Sequence, residues 1–240
     1  MQGDWNHRGL YRWLNCDEWG LSCEKDSVMQ EDRVWYVGYG SNLYLHRFLL
    51  YLKGGRATRV ARPHSPCQAG RAPEDIRSFP LPFRLFFACE SPNWYGGGVA
   101  FIDTERGNQF LTYGRAYLLE LPQLRHVALE ENGGKGVIDI EAGNLSERPV
   151  GYYHDVRDNG WYKRMVCCGL GPDGRYPAVT LTGVRDELLR LPRRPPHRSY
   201  LDRIRKGLRE MRGERPELTN LAIRAYLREA RSAFPRGKAP

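Results

Sequence analysis

The chain has 240 residues, of which 41% are hydrophobic and 27% charged, and its mean hydropathy is −0.62. This length fits one medium domain with appendages, or at most two small ones. The 8 Phe, 14 Tyr and 6 Trp provide for a sizeable core, which excludes wholesale disorder. No segment approaches the roughly 18 apolar residues of a membrane-spanning helix, and the first residues do not read as a signal peptide. The sequence therefore predicts a cytoplasmic protein with no membrane partner.

The net charge of +9 raises the question of a nucleic-acid partner. Residues 198–240 hold 12 Lys/Arg against 5 Asp/Glu, so +7 of the +9 lies in these last 43 positions. The charges alternate with apolar residues at helical spacing, which is typical of the solvated face of an amphipathic helix. Since no nucleic-acid motif accompanies them, we favour a solvated face over a nucleic-acid surface.

The six cysteines are Cys16, Cys23, Cys67, Cys89, Cys167 and Cys168. None forms a C-x-x-C pair, so a structural zinc site is disfavoured and we expect no metal. Reduced thiols packed as small hydrophobes are the favoured interpretation. A Cys16–Cys23 bridge would need an oxidising compartment, for which nothing else argues.

The first predicted elements are an extension, a strand and a helix. Residues 1–32 form an N-terminal extension, which we expect to pack on the domain through its tryptophans Trp5, Trp13 and Trp19. The aromatic and β-branched stretch at 34–40 predicts a strand. Apolar spacing over 43–52 predicts a helix that ends at the Gly54–Gly55 pair. Residues 56–80, rich in Pro and Arg, predict a long loop.

The middle of the chain is dominated by strands. Three strand candidates lie at 81–90, 96–105 and 112–121. Pro122 then begins a helix that ends before Gly133–Gly134. Residues 135–160 read as an inserted loop or short ribbon.

A hairpin and two helices complete the pattern. Strands at 161–170 and 175–184 flank the turn sequence GPDG. A proline linker at 191–199 precedes helices over 199–212 and 217–234. Because there is no regular βαβ alternation, we disfavour a doubly wound sheet and predict an α+β domain, with a mixed curled sheet or small β-barrel and flanking helices.

The turn Tyr39–Leu43 stands out, because a buried strand ends there in a polar, glycine-bearing loop before a helix. Gly40 lets the backbone turn sharply and approach a ligand. Consecutive amide N–H groups before a helix N-terminus form an anion-binding cradle. The alternative is that Ser41 or Asn42 merely caps the following helix.

Two further segments bear on this choice. Three glycines, Gly96–Gly98, follow an aromatic pair, which indicates either a bulge at the start of a strand or close backbone approach to a site. Glu130 and Glu131 lie at the C-terminal end of an apolar helix, where the helix dipole disfavours acids. One of them is a candidate for a buried base, although most such pairs are surface charges.

Together these segments resemble the γ-glutamylcyclotransferase-like family. Its Tyr-Gly-Ser-Asn-Leu loop matches Tyr39–Leu43, and its Trp-x-Gly-Gly strand entry matches Trp94–Gly98. Its Leu-x-x-Leu-Asp-x-x-Glu-Gly helix is more loosely matched by 124–132, where alignment places the catalytic glutamate at Glu131. Ala128 and Asn132 replace the family's Asp and Gly, so Glu130 stays open as the alternative.

The resemblance also sets expected domain limits. Tyr162 matches the tyrosine that opens the family's next strand, and Tyr200 the tyrosine that begins its last helix, although the serine-proline part of the preceding loop is replaced. The resemblance covers about 33–212, with 135–160 as an insertion and 213–240 as a C-terminal helical extension.

The activity implied by the resemblance is an intramolecular acyl transfer. The α-amine of a γ-glutamyl group attacks its own γ-carbonyl, which gives 5-oxoproline and a free amine without metal or cofactor. Glu131 is the expected acid/base, because one carboxylate with a raised pKa can move both protons. The implied substrate-binding residues are Tyr39, Gly40, Ser41, Asn42, Leu43, Gly97, Gly98, Tyr162 and Tyr200.

Other readings stay open. The same scaffold could process a γ-glutamyl group on a specialised metabolite or a protein amine. A second alternative is a non-catalytic module that binds nucleic acid through the basic C-terminal helices. A cysteine hydrolase lacks support, because no cysteine lies in an activating sequence context. The oligomeric state is open, a homodimer included.

Overall fold

The computed structural model describes residues 33–105, 111–141, 143 and 148–232. The ten strands of the described residues are β1 Arg33–Gly38, β2 Gly54–Gly55, β3 His64–Pro66, β4 Ile76–Leu81, β5 Arg84–Ser91, β6 Gly97–Asp103, β7 Thr112–Glu120, β8 Tyr153–Asp155, β9 Arg164–Leu170 and β10 Pro177–Thr182. Their α-helices are α1 Leu45–Lys53, α2 Leu121–Glu131, α3 Arg185–Arg190, α4 Arg198–Glu210 and α5 Asn220–Ser232. Short 3-10 helices lie at Ser41–Leu43, Pro92–Trp94 and Met211–Gly213. The predicted N-terminal extension and Cys16–Cys23 lie outside the described residues.

Six strands form one mixed sheet in the order β4-β7-β1-β10-β9-β8. Only the β1–β10 pair is parallel; the other neighbours are antiparallel. Strands β5 and β6 form a separate antiparallel ribbon. The α+β prediction with a mixed sheet is confirmed. The sheet is open, with edges at β4 and β8, and does not close into the barrel that was the other option.

Strand β1 lies at the centre of the sheet and is buried on both faces. Val34 and Tyr36 point into a core beneath α1 and α2, whereas Trp35 and Val37 point into a second core beneath the β5–β6 ribbon, α4 and α5. This division follows from the alternation of side chains along a strand. The apolar stretch therefore places its C-terminal end between two packed layers.

Several predicted elements agree with the structure, and others need correction. Strands β9 and β10 form the predicted hairpin around GPDG. The prediction of one long loop over 56–80 is wrong, because it contains β3 and most of β4, and β4 pairs with β7. The first helix begins at Leu45 rather than at position 43, and the short helix α3 was not predicted. No helix of the described residues is long and apolar enough to span a membrane.

The thiols of the described residues are free. Cys67, Cys89 and Cys168 are buried, as expected for cysteines packed as small hydrophobes, and Cys167 is half-buried. Burial raises the pKa of Cys89 to about 11, which makes it a poor nucleophile at neutral pH.

Candidate active site

The loop after β1 is held by close packing around Gly40. A Cβ at this position would lie 2.6 Å from the Tyr200 hydroxyl and 3.0 Å from the Ala100 Cβ. Only glycine fits, because those two side chains already occupy the space. The next residues tighten into a 3-10 turn, in which the Leu43 amide donates to the Gly40 carbonyl at 3.1 Å. Gly40 thus brings the loop against strand β6 and helix α4.

The capping interpretation of this loop is wrong. The N-cap of α1 is Tyr44, and no side chain caps that helix. Ser41 and Asn42 are buried instead, with exposed fractions of 7% and 6%. Their polar side chains therefore lie inside the protein, where they need partners other than the helix end.

Backbone donors of the loop remain available. Among the described residues, no backbone carbonyl accepts a hydrogen bond from the amides of Gly40, Ser41 or Asn42. The Ser41 amide already meets the Tyr200 hydroxyl oxygen. The amides of Gly40 and Asn42, close to the start of a helix, are left to receive an anionic oxygen.

Glu131, at the last position of α2, meets this loop directly. The Asn42 Nδ2 donates to Glu131 Oε1 at 2.6 Å, and the Tyr36 hydroxyl lies 3.5 Å from the same oxygen. Burial raises the pKa of Glu131 above its ordinary value. The Arg47 charge and the hydrogen bonds from Asn42, Tyr51 and Tyr36 oppose this rise without cancelling it. The carboxylate is therefore a stronger base than an exposed glutamate.

Arg47, on α1, is close enough for its charge to lower the pKa of Glu131, and it is itself buried, with 6% exposure. Its Nη2 donates to the Tyr51 hydroxyl at 2.7 Å, one helical turn further on. Within the described part of the chain, its Nε and Nη1 have no partner, and neither does Asn42 Oδ1. Buried polar atoms in this state are rare and indicate that water or a ligand completes the site.

Glu130 has different surroundings from its neighbour. The Arg62 Nη2 lies 2.6 Å and the His64 Nδ1 2.7 Å from Glu130 Oε2. Burial by itself would raise the pKa of Glu130, but the hydrogen bonds and charges of His64 and Arg62 outweigh it, and the pKa is lowered. Glu130 is therefore an ionised carboxylate that is already paired with Arg62 and His64, whereas Glu131 faces the Tyr39–Leu43 loop.

Both carboxylates line one cavity of about 90 Å³. Of the residues predicted for the site, those that line it are Tyr39, Gly40, Ser41, Asn42, Glu131, Tyr162 and Tyr200. The structure thus brings together residues that lie far apart in the sequence.

Tyr162 and Tyr200 hold strand β6 at the cavity wall. The Tyr162 hydroxyl donates to the Ala100 carbonyl at 2.8 Å, and the Ala100 amide donates to the Tyr200 oxygen at 3.1 Å. Burial raises the pKa of Tyr200 to about 12, so its hydroxyl stays protonated at neutral pH. The Tyr39 hydroxyl donates to the Leu181 carbonyl at 2.7 Å.

Three predicted substrate-binding residues do not line the cavity. Leu43 is buried in the core. A Cβ on Gly97 would lie 2.4 Å from the His197 amide nitrogen, and one on Gly98 only 2.0 Å from the Arg194 carbonyl oxygen. These glycines are thus explained by packing against the proline linker before α4.

Other cavity residues were missed from the sequence: Tyr36, Arg47, Tyr51, Arg62 and His64. The spacing of Arg47 and Tyr51 on one face of an apolar helix was a usable signal, since a charge on such a face needs a partner. His64 carried no signal within its Pro- and Arg-rich segment. Among the described residues, no group of three or more His, Cys, Asp and Glu could hold a metal ion.

The chain is similar in sequence to a plant protein and in structure to a human protein. No family model matches the chain. It is 30% identical over 195 residues to histone deacetylase 5 of Arabidopsis thaliana, an alignment that covers 74% of this chain and 28% of that protein. The chain thus spans less than a third of that relative's length. The crystal structure of the human uncharacterized protein loc79017 aligns with 88% of this chain and 95% of its own, at 17% identity and a TM-score of 0.48. A TM-score of this size does not establish a shared fold.

Proposed function

We propose that the protein is a γ-glutamylcyclotransferase-like enzyme that converts a γ-glutamyl amine or peptide to 5-oxoproline and a free amine. The observation that carries the proposal is the 2.6 Å hydrogen bond between Asn42 of the Tyr39–Leu43 loop and Glu131. It joins the expected substrate loop to the expected acid/base at one cavity. The deacetylase name of the Arabidopsis relative is not transferred, because this chain spans 28% of it.

In the proposed reaction, Glu131 removes a proton from the substrate α-ammonium. The freed amine attacks the γ-carbonyl carbon and closes the five-membered ring. Glu131 then passes that proton to the amide nitrogen, and the bond from the γ-carbonyl carbon to this nitrogen breaks. The ionised Glu131 takes the second proton of the ring nitrogen and returns it to the departing amine, which leaves as an ammonium ion. Burial favours the neutral, protonated form of Glu131, which suits the second transfer.

Positioning supplies much of the remaining rate enhancement. The free amides of Gly40 and Asn42 suit the substrate α-carboxylate or the oxyanion that develops on the γ-carbonyl. The cavity walls hold the substrate in the folded conformer that ring closure requires. No metal or organic cofactor is needed for these steps.

The test is incubation with a panel of γ-glutamyl amines and detection of 5-oxoproline by mass spectrometry. Glu131→Gln should lower turnover by about 10²–10⁴-fold while the thermal transition persists, because the amide cannot transfer protons. Glu229→Gln, at an exposed position of α5, is the control. If Glu131→Gln stays active and Glu130→Gln does not, the acid/base assignment is wrong by one residue. If wild type gives no 5-oxoproline from any member of the panel, the proposed function fails.

A further inference from the structure

His64, at the start of β3, is a second titratable group in the wall of the cavity that the proposed reaction leaves unused. Its side chain is 8% exposed. Its ring stacks edge-to-face on Tyr51, with centroids 4.6 Å apart. The imidazole is therefore fixed in place beside the candidate site.

The Glu130 contact determines the tautomer of His64. Glu130 is ionised, so its Oε2 accepts, and the His64 Nδ1 at 2.7 Å must carry the donated proton. Burial and the Arg47 charge lower the pKa of His64 to about 4, against the opposing effect of Glu130. At neutral pH the ring is thus uncharged, and Nε2 carries a lone pair rather than a proton.

The Nε2 atom is the free end of this ring. It has no protein partner among the described residues. It is also not fully buried, because the fully buried side-chain atoms without a partner do not include it. Together with the position of His64 in the lining, this leaves Nε2 as an accessible hydrogen-bond acceptor.

The surroundings of His64 indicate which part of a substrate it meets. Arg62 shares Glu130 with His64, and its side chain is 35% exposed, which places this end of the cavity towards solvent. The Arg62 charge is paired with Glu130, so His64 offers a neutral acceptor. The glutamyl group is expected at the contact between Glu131 and Asn42 of the Tyr39–Leu43 loop.

We propose that His64 is a substrate-binding residue whose Nε2 accepts a hydrogen bond from an N–H or O–H of the amine half of the substrate, with Glu130 as its positioning residue. This inference rests on the proposed function and deepens it. It predicts that the leaving group carries a hydrogen-bond donor.

Two substitutions separate the two nitrogens of the ring. In His64→Asn the side-chain amide reaches the position of Nδ1 and can still donate to Glu130, but the Nε2 acceptor is lost. In His64→Gln the longer amide reaches the position of Nε2 and restores an acceptor. We expect kcat/KM for γ-glutamylglycine to fall about tenfold in His64→Asn and to recover most of that loss in His64→Gln. His46→Asn, at an exposed position of α1 outside the cavity lining, is the control.

A readout without turnover uses the Glu131→Gln variant with ¹⁵N-labelled histidine and γ-glutamylglycine as the probe. The Nε2 resonance of His64 should be that of an unprotonated nitrogen, and it should shift as the probe saturates the site. An Nε2–H tautomer in the free protein, or saturation without a shift, would overturn the role of His64 while wild-type 5-oxoproline release upholds the proposed function. Equal values of kcat/KM for His64→Asn and His64→Gln would likewise overturn the role of His64. Absence of both binding and turnover would overturn both proposals.

Discussion

Replacing Gly207 with alanine tests how α4 supports the candidate site. A Cβ at this position would lie 2.2 Å from the Leu43 carbonyl carbon and 2.5 Å from the Leu43 Cβ. Because the first contact is with backbone, no side-chain rotation relieves it. Restoring an ordinary contact of about 3.4 Å requires α4 and the 41–43 segment to separate by ~1 Å.

The size of the effect follows from two opposing contributions. Overpacking of this kind costs about 1–3 kcal/mol, whereas alanine improves helix propensity by about 1 kcal/mol. Because the contact is with backbone, we expect a cost in the upper part of this range, about 2–3 kcal/mol. The net loss is then about 1–2 kcal/mol, and in a domain of this size Tm should fall by about 2–8 °C. Turnover should fall further, by about 10²-fold, because a ~1 Å shift misplaces the neighbouring Tyr39–Leu43 loop.

The assay is a thermal melt followed by circular dichroism, together with 5-oxoproline release. Gly213→Ala is the matched control at the end of the same helical segment, since nothing lies within 4 Å of its added Cβ. An unchanged or higher Tm for Gly207→Ala, as propensity alone would give, would refute the packing argument.

Three further predictions concern charge and packing. Between pH 6.5 and about 4 the unfolded chain binds a proton at His64 that the folded protein does not, so the stability that the neutral His64 contributes is lost as pH falls. In His64→Asn, Tm should therefore decline less steeply over this pH range. An equally steep decline would contradict this prediction. Arg47→Met should raise the pKa of Glu131 further, since a neighbouring positive charge is removed. The acid limb of the kcat/KM profile should move to higher pH, and a shift to lower pH would exclude this assignment. Gly98→Ala should lower Tm, because its Cβ would overlap the Arg194 carbonyl oxygen. A rise in KM or a fall in kcat at unchanged Tm would instead point to a direct role in the site.

Much of the fold was predictable because its signals are local. The apolar run at β1, the GPDG turn and the glycines after α2 each determine nearby backbone. Strand β4 was missed because Pro80 and neighbouring charges resemble a loop. At the edge of a sheet a proline is tolerated, since one side of the strand needs no partner.

The candidate site was only partly predictable for a related reason. The order of the motifs pointed to the Tyr39–Leu43 loop and Glu131, yet the sequence left Glu130 open as the alternative. The choice depends on partners: Arg62 and His64 reach Glu130 from β3 and the residues just before it, and Asn42 reaches Glu131. Similarly, Gly97 and Gly98 read as ligand contacts because the linker that packs on them lies about a hundred positions later.

The hydrogen bonds around the cavity have a consequence for folding. The contacts Tyr36–Glu131, Ala100–Tyr200 and Tyr39–Leu181 join positions 95, 100 and 142 apart in the chain. Contacts with such long sequence separation form late, after local helices and hairpins. Undocking of α4 alone would remove Tyr200 from the cavity while the central sheet persists. In hydrogen exchange, the loop amides should therefore open at lower free energy than those of β1.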